Sequence, residues 1–228
     1  MAETVRISLV SNAGLIVSSG STVLAVDALN GLYPPFRQVD RDIAESMIRD
    51  TGRYAGVTGL FYTHLHEDHY DPYLAERFYA AHPGAYRFVP DEGTPPRGRI
   101  EGESFTLEYG RVPHSGLLYS GTHHYVFLLS VGGRNLYIAG DAEYDSNAQL
   151  DFLAGRAVDA AFFNPIVVFS EKNISLMQAV DARVNFLYHV PEDHRSGLWR
   201  KTAVCLKRYD ALLQNTVFLD AVPSFIRL

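Results

Sequence analysis

The stretch FYTHLHEDHYDP, beginning at Phe61, holds three histidines and two acids between Thr63 and Tyr70, directly after a short apolar run. These side-chain types ligate metals: neutral imidazole nitrogens and carboxylate oxygens bind zinc at about 2.0–2.2 Å. On an extended strand end His64 and His66 point to the same side, because successive side chains alternate, and a following turn can bring Asp68 and His69 towards the same space. The arrangement suits two metal ions, which need more ligands than one loop supplies. Three further residues of ligand type close apolar runs: His114 in RVPHSG, Asp141 in YIAGDAEY and His189 in NFLYHVPED. Singly, each histidine reads more readily as a surface or hydrogen-bonded group than as a ligand. Together, in order and at strand ends, they read as a ligand set.

The elements that must position these residues follow from the apolar pattern. VRISLV and LIVSSGSTVLAVDA read as strands, the second a hairpin turning at Gly20-Ser21. A helix runs from about Asp40, a good N-cap, to Gly52, with Ile43, Met47 and Ile48 on one face. After the strand VTGLFYTH, the segment PYLAERFYAAHPG places Pro72 in a helix's first turn and ends at Pro83-Gly84, so the histidine cluster lies in a strand-to-helix loop. YRFVP, SFTLEYGRVP and the hairpin HHYVFLLSVGGRNLYIAGD, turning at Gly132-Gly133, read as strands, whereas EGTPPRGRIEG from Glu92 reads as a long Pro/Gly loop. SLMQAVDA and LWRKTAVCLKRYDALL carry helical patterns among the short strands DAAFF, VNFLYH and TVFL. Strands outnumber helices and the helices separate strand groups, which suggests helices packed outside stacked sheets.

Composition bounds what this scaffold serves. With 228 residues, 47% of them hydrophobic, the chain can fill the core of one large domain spanning residues 1–228. No apolar run approaches the roughly 18 residues that span a bilayer, and MAETVRISLV has no basic start followed by an apolar stretch; the expectation is a cytoplasmic protein without a membrane partner. A single cysteine, Cys205, excludes an internal disulfide and a cysteine-rich zinc site, leaving histidine and carboxylate as ligands. The net charge of −6 gives no general footprint for nucleic acid, so a small-molecule substrate is expected.

The order HxHxDH, then His, Gly-Asp and His, preceded by a strand ending in Asp27, resembles the metallo-β-lactamase superfamily of binuclear metallohydrolases. The similarity runs from about Asn12 to His189, and VDAAFFNPIVVF with ISLMQAVDARVNFLYH looks like the branch of ascorbate phosphate lactonase and related small hydrolases. It implies an α+β fold, a four-layer αββα sandwich, with a metal cleft at one edge of the two sheets. By the same resemblance His64, His66 and His114 hold one divalent ion, Asp68, His69 and His189 the other, and Asp141 bridges them; zinc is expected, with manganese the alternative. Asp27 would accept the outer N–H of a ligand histidine and so fix its tautomer. Two divalent ions against the carboxylates Asp68 and Asp141 leave excess positive charge, which favours an anionic substrate. The implied function is hydrolysis of a small anionic ester, lactone or phosphodiester by a shared, acidified water, with Asp68 and Asp141 as catalytic residues. An iron-dependent oxidoreductase on the same fold, and a metal-binding protein without catalysis, are the alternatives. His123 and His124, opening the strand after His114, are candidate substrate contacts. So are His194 and Arg195 in PEDHRSGLWRK, which reads either as an anion pocket or as a solvated helix start.

Overall fold

The computed structural model describes residues 3–228; Met1 and Ala2, part of the expected domain and of the amino-terminal stretch read above, lie outside the described residues. The first sheet carries strands β1 (Arg6–Leu9), β2 (Leu15–Ser19), β3 (Thr22–Val26), β4 (Gly59–Phe61) and β5 (Tyr86–Phe88). The second carries β6 (Arg97–Glu101), β7 (Phe105–Arg111), β8 (Tyr125–Val131), β9 (Arg134–Ile138), β10 (Val158–Phe163), β11 (Ala182–Leu187) and β12 (Thr216–Phe218), and β13 (Ser224–Arg227) returns to the first. The orders are β13-β1-β2-β3-β4-β5 and β12-β11-β10-β9-β8-β7-β6. Both sheets are mixed: β1 to β3 and β6 to β9 are antiparallel neighbours, while β3-β4-β5 and β9-β10-β11-β12 run parallel.

Side chains alternate between two destinations along these strands. Ile7, Leu15, Leu24, Phe127, Ile138 and Phe162 fill the space between the sheets. Their neighbours Ile16, Ala25 and Leu60 face outwards onto helices α1 (Arg41–Ile48) and α2 (Pro72–Ala81), and Leu128, Tyr137 and Phe163 face α3 (Ala148–Leu153), α4 (Glu171–Ala179) and α5 (Gly197–Arg208). Strands covered on both faces must be apolar at nearly every position, which is why they appear as continuous apolar runs. The result is the expected αββα sandwich, α+β in class.

Several boundaries differ from the sequence reading. Helix α1 stops at Ile48 because Asp50 adopts a left-handed backbone at φ 54°, and a 3-10 turn over Gly52–Tyr54 follows. The Pro/Gly segment from Glu92 is not all loop. Its second half forms β6, an edge strand whose exposed and half-buried positions alternate, so it lacks an apolar signature. Strand β13, four residues long, and helix α3, six residues long, are too short to show a readable period in the sequence.

Candidate metal centre

Each candidate ligand sits just beyond a strand terminus on one edge of the sandwich. The loop after β4 carries His64, His66, Asp68 and His69 and leads into α2, whose start is fixed by Asp71 accepting from Leu74 N at 3.0 Å, with Pro72 in the first turn. His114 follows β7, Asp141 follows β9 and His189 follows β11. Two backbone bonds close the seam between the sheets here: Tyr125 N donates to Thr63 O at 2.8 Å and His189 N to Asn12 O at 2.7 Å.

The ligand atoms converge in two groups. His64, His66 and His114 form one; Asp68, His69, Asp141 and His189 form the other; within each, one atom per residue lies within 4.8 Å of all the rest. His64 Nε2 is 3.1 Å from His66 Nδ1, His69 Nε2 is 2.8 Å from His189 Nε2, and His189 Nε2 is 3.2 Å from Asp68 Oδ2. Tetrahedral ligands at zinc distances stand about 3.3 Å apart, so these separations are those of a ligand cage. Asp141 lies between the groups. Its Oδ2 is 3.5 Å from His114 Nε2, 3.9 Å from His64 Nε2 and 3.6 Å from His69 Nε2, while Oδ1 is 3.7 Å from His189 Nε2.

The surrounding hydrogen bonds assign tautomers that suit a cation. Asp27, fully buried, accepts from Thr63 N at 2.8 Å, from Thr63 Oγ1 at 2.8 Å and from His69 Nδ1 at 3.0 Å. Because Thr63 Oγ1 spends its proton on Asp27, it accepts from His64 Nδ1 at 3.1 Å. His114 Nδ1 donates to Ser115 O at 2.7 Å. Protons on these Nδ1 atoms leave bare lone pairs on the Nε2 atoms of His64, His69 and His114, all aimed inwards. His114 Nε2 and Asp68 Oδ1 are buried without any hydrogen-bond partner. Converging lone pairs and orphaned buried acceptors repel one another unless a positive charge stands among them. The donor set fits divalent metal at both groups.

The electrostatics agree. Burial, then the neighbouring His69, push the His64 pKa well below its ordinary value, and burial with His114 lowers that of His66, so both stay neutral. Burial works against a charged His69, but the Asp141 and Asp27 carboxylates outweigh it and raise its pKa well above normal. Burial likewise opposes ionisation of Asp141, yet His189 and His69 hold its pKa well below the usual carboxylate range. The carboxylates of Asp27 and Asp141 thus favour positive charge at this point of the pocket, which is the charge a divalent ion would bring.

None of the four candidate substrate contacts is among the residues that line the cleft over the ligand groups. His123 turns away and donates from Nδ1 to Asp91 O at 3.0 Å. His124 is fully buried, donating to Val112 O at 3.2 Å and accepting from Asp141 N at 2.9 Å, and burial pushes its pKa down to about 3. It positions the Asp141 backbone. His194 stacks on Trp199 with ring centroids 4.4 Å apart. The Arg195 guanidinium, 84% exposed, is paired with Asp193 at 2.9 Å, so PEDHRSGLWRK is a solvated helix start. Three supporting residues went unremarked in the sequence: Thr63; Asn12, whose Nδ2 donates to Asp68 O; and Asn164, whose Nδ2 donates to Asp141 Oδ1. Their one sequence signal is a polar residue flanking a ligand or ending an apolar run.

Above the cage opens a cleft of about 450 Å³. Tyr33, Phe36, Leu65, Tyr119, Ile166 and Leu198 contribute its walls. Phe36 meets the His189 ring edge-on at 4.3 Å, and Tyr119 lies 4.9 Å from His66 and 5.0 Å from His114, so aromatic rings shield both ends of the cage.

No protein-family model and no curated protein matches the chain. Solved structures do. The metallo hydrolase Igni18 from the hyperthermophilic archaeon Ignicoccus hospitalis superposes with a TM-score of 0.66 at 12% identity, covering 99% of this chain and 98% of its own. The metallo-beta-lactamase fold protein YhfI from Bacillus subtilis gives 0.63 at 12% identity, covering 99% and 100%. CmlA, a diiron beta-hydroxylase from Streptomyces venezuelae, gives 0.67 at 12% identity; the match takes in 100% of this chain but only 55% of CmlA. Two mixed sheets flanked by helices, with histidine and carboxylate groups gathered at one edge, give this chain the metallo-β-lactamase fold.

Proposed function

We propose that the chain is a binuclear metal-dependent hydrolase of a small ester, lactone or phosphodiester, related in its chemistry to the small lactonase-like hydrolases. The observation that carries this reading is the Asp141 carboxylate, within 4 Å of nitrogens from both ligand groups. His64, His66 and His114 would hold one ion, Asp68, His69 and His189 the other, with Asp141 common to both. Zinc suits the histidine-rich set, and manganese is the alternative. Bound ions would supply an acidified water and a Lewis acid for the scissile oxygen. The chain's own contribution is orientation: Asp27 and Thr63 fix the His69 and His64 tautomers, Asn164 and His124 hold Asp141 at both its carboxylate and its backbone, and the aromatic walls exclude bulk water. No protein nucleophile is needed.

The test is reconstitution with zinc, manganese or iron, elemental analysis, and a panel of chromogenic esters, lactones and phosphodiesters. Two ions per chain and turnover of at least one class are expected, with Asp141→Ala falling to background while circular dichroism stays unchanged. Less than one ion per chain, or near-normal turnover by metal-loaded Asp141→Ala, refutes the reading. The likeness to CmlA favours a second one, an iron-dependent oxidoreductase. It predicts tight iron, oxygen consumption with a reductant, and no hydrolysis.

A further inference from the structure

Resting on the hydrolase reading, we propose that the substrate is a neutral ester or lactone carrying an alkyl or aryl group, and that the turn Leu117–Tyr119 covers that group. The cleft has the apolar lining and the volume of a small-molecule site. Its polar atoms are concentrated on the floor, where the cage lies. Among the described residues no lysine or arginine lines it, and the one charged wall residue outside the cage is Glu67. A remote carboxylate or phosphate on the substrate would therefore find no counter-ion, and would meet the Glu67 carboxylate. Of the arginines close in the chain to lining residues, Arg37 pairs with Glu192 and Asp40, Arg195 pairs with Asp193, and the exposed Arg200 is not part of the lining. The positive charge of the ions acts on the reacting group and does not extend to the rest of the ligand.

The rim points to the same substrate. Tyr33 and Leu65 are each 42% exposed and Tyr119 38%, while Leu117 and Leu118 stand 95% and 94% exposed, beyond any other large apolar side chain described. These two leucines share a 3-10 turn with Tyr119, whose ring packs beside His66 and His114. Gly116 opens the turn at φ 90°, a conformation that suits glycine, and so projects the leucines from the surface. Apolar groups left in water beside an apolar cleft gain by covering an apolar ligand. The substrate's chain is that ligand.

The experiment uses the zinc-loaded protein with p-nitrophenyl esters from acetate to decanoate, and the same chains ending in a carboxylate. kcat/KM should climb by up to about fourfold per methylene until the cleft is filled, and a terminal carboxylate should lower it at least about tenfold. Binding of the methyl ketones 2-hexanone to 2-dodecanone, followed by calorimetry, provides a readout independent of turnover and should strengthen with length. The double variant Leu117→Ser/Leu118→Ser, changed at fully exposed positions that the fold does not use, should flatten both series at the longer chains. A flat series, a preference for the charged esters, or unaltered slopes in the double variant overturns the proposal. Length-dependent ketone binding without ester hydrolysis supports the apolar site and refutes the hydrolase reading instead.

Discussion

Replacing Asp27 with asparagine tests the support behind both ligand groups, His69 directly and His64 through Thr63. Asparagine matches the aspartate in size and is among the few residues that accept the left-handed backbone at this position, φ 51°, so the strand end is preserved. Its Oδ1 keeps the bond from Thr63 N. Its amide NH₂ then faces His69 Nδ1, and two donors cannot bond, so the His69 proton is driven to Nε2, the atom that needs a bare lone pair. The lost bond is buried and charge-assisted, worth about 1.5–3 kcal/mol, or roughly 10–150-fold in an equilibrium constant. Loss of an outer partner of a ligand histidine costs about 10–100-fold in metal affinity, an independent figure of the same size. Zinc titrated against a chromogenic chelator should show weaker binding in the variant, by up to that factor at the group holding His69 and by less at the group holding His64, which Asp27 reaches only through Thr63 Oγ1. Unchanged affinity would remove Asp27 from the centre. Thermal melts of the metal-free proteins separate this effect from a general loss of stability.

Gly140→Ala should destabilise the protein without touching a ligand. At φ 53° its Cβ would stand 2.8 Å from His124 Nε2 and 3.0 Å from Thr63, so a left-handed penalty of about 1–2 kcal/mol joins the loss of the His124 bond, about 1 kcal/mol more. The melting temperature should fall by about 4–12 °C, and a fall under about 1 °C would contradict the close packing. Arg195→Ala should leave the melting temperature and KM unchanged for charged and neutral substrates alike, because the side chain is solvated, paired with Asp193 and outside the cleft lining; a rise in KM confined to anions would restore the anion pocket. Glu45 is held down to about 2 from 4.5 by Arg77, against burial, and by Arg49. A depressed carboxylate pKa stabilises the fold above its unfolded value, and that contribution disappears as pH falls from about 4.5 to 2. Glu45→Gln should flatten the stability profile across that window, and an unchanged acid limb would count against the ion pair.

The cage was legible because its chemistry needs residue types that ordinary strand ends do not collect. His64, His66, Asp68, His69, His114, Asp141 and His189 were identifiable from type and place alone, and the sheets bring them together. Hairpins at Gly20-Ser21 and Gly132-Gly133 were readable for a similar reason, since turn residues are distinctive. What side chains do beyond their type was not legible. His123 and His124 are adjacent and alike, yet one bonds an exposed loop carbonyl and the other is sealed behind Asp141, a choice made by strand register. Arg195 lies six residues past the last candidate ligand, His189, but Asp193 claims it locally. The cleft walls gave no pattern, because Tyr33 and Phe36 share one loop, Tyr119 and Ile166 lie in separate 3-10 turns and Leu198 opens helix α5, so no single strand or helical period joins them.

Each ligand group draws on both sheets: His64 and His66 from the first with His114 from the second, and Asp68 and His69 from the first with Asp141 and His189 from the second. Ions bound there would act as rivets through the seam, which the protein alone closes with bonds such as Tyr125 N to Thr63 O. The complete cage exists only once the sheets have docked, so metal capture would be tied to the last stage of folding. Prising the sheets of a loaded protein apart would then require releasing the metal first, and the height of that barrier, more than the equilibrium stability of the sandwich, would set how long it survives heat or proteases. A cell short of metal would therefore hold a chain with the same shape and a shorter life.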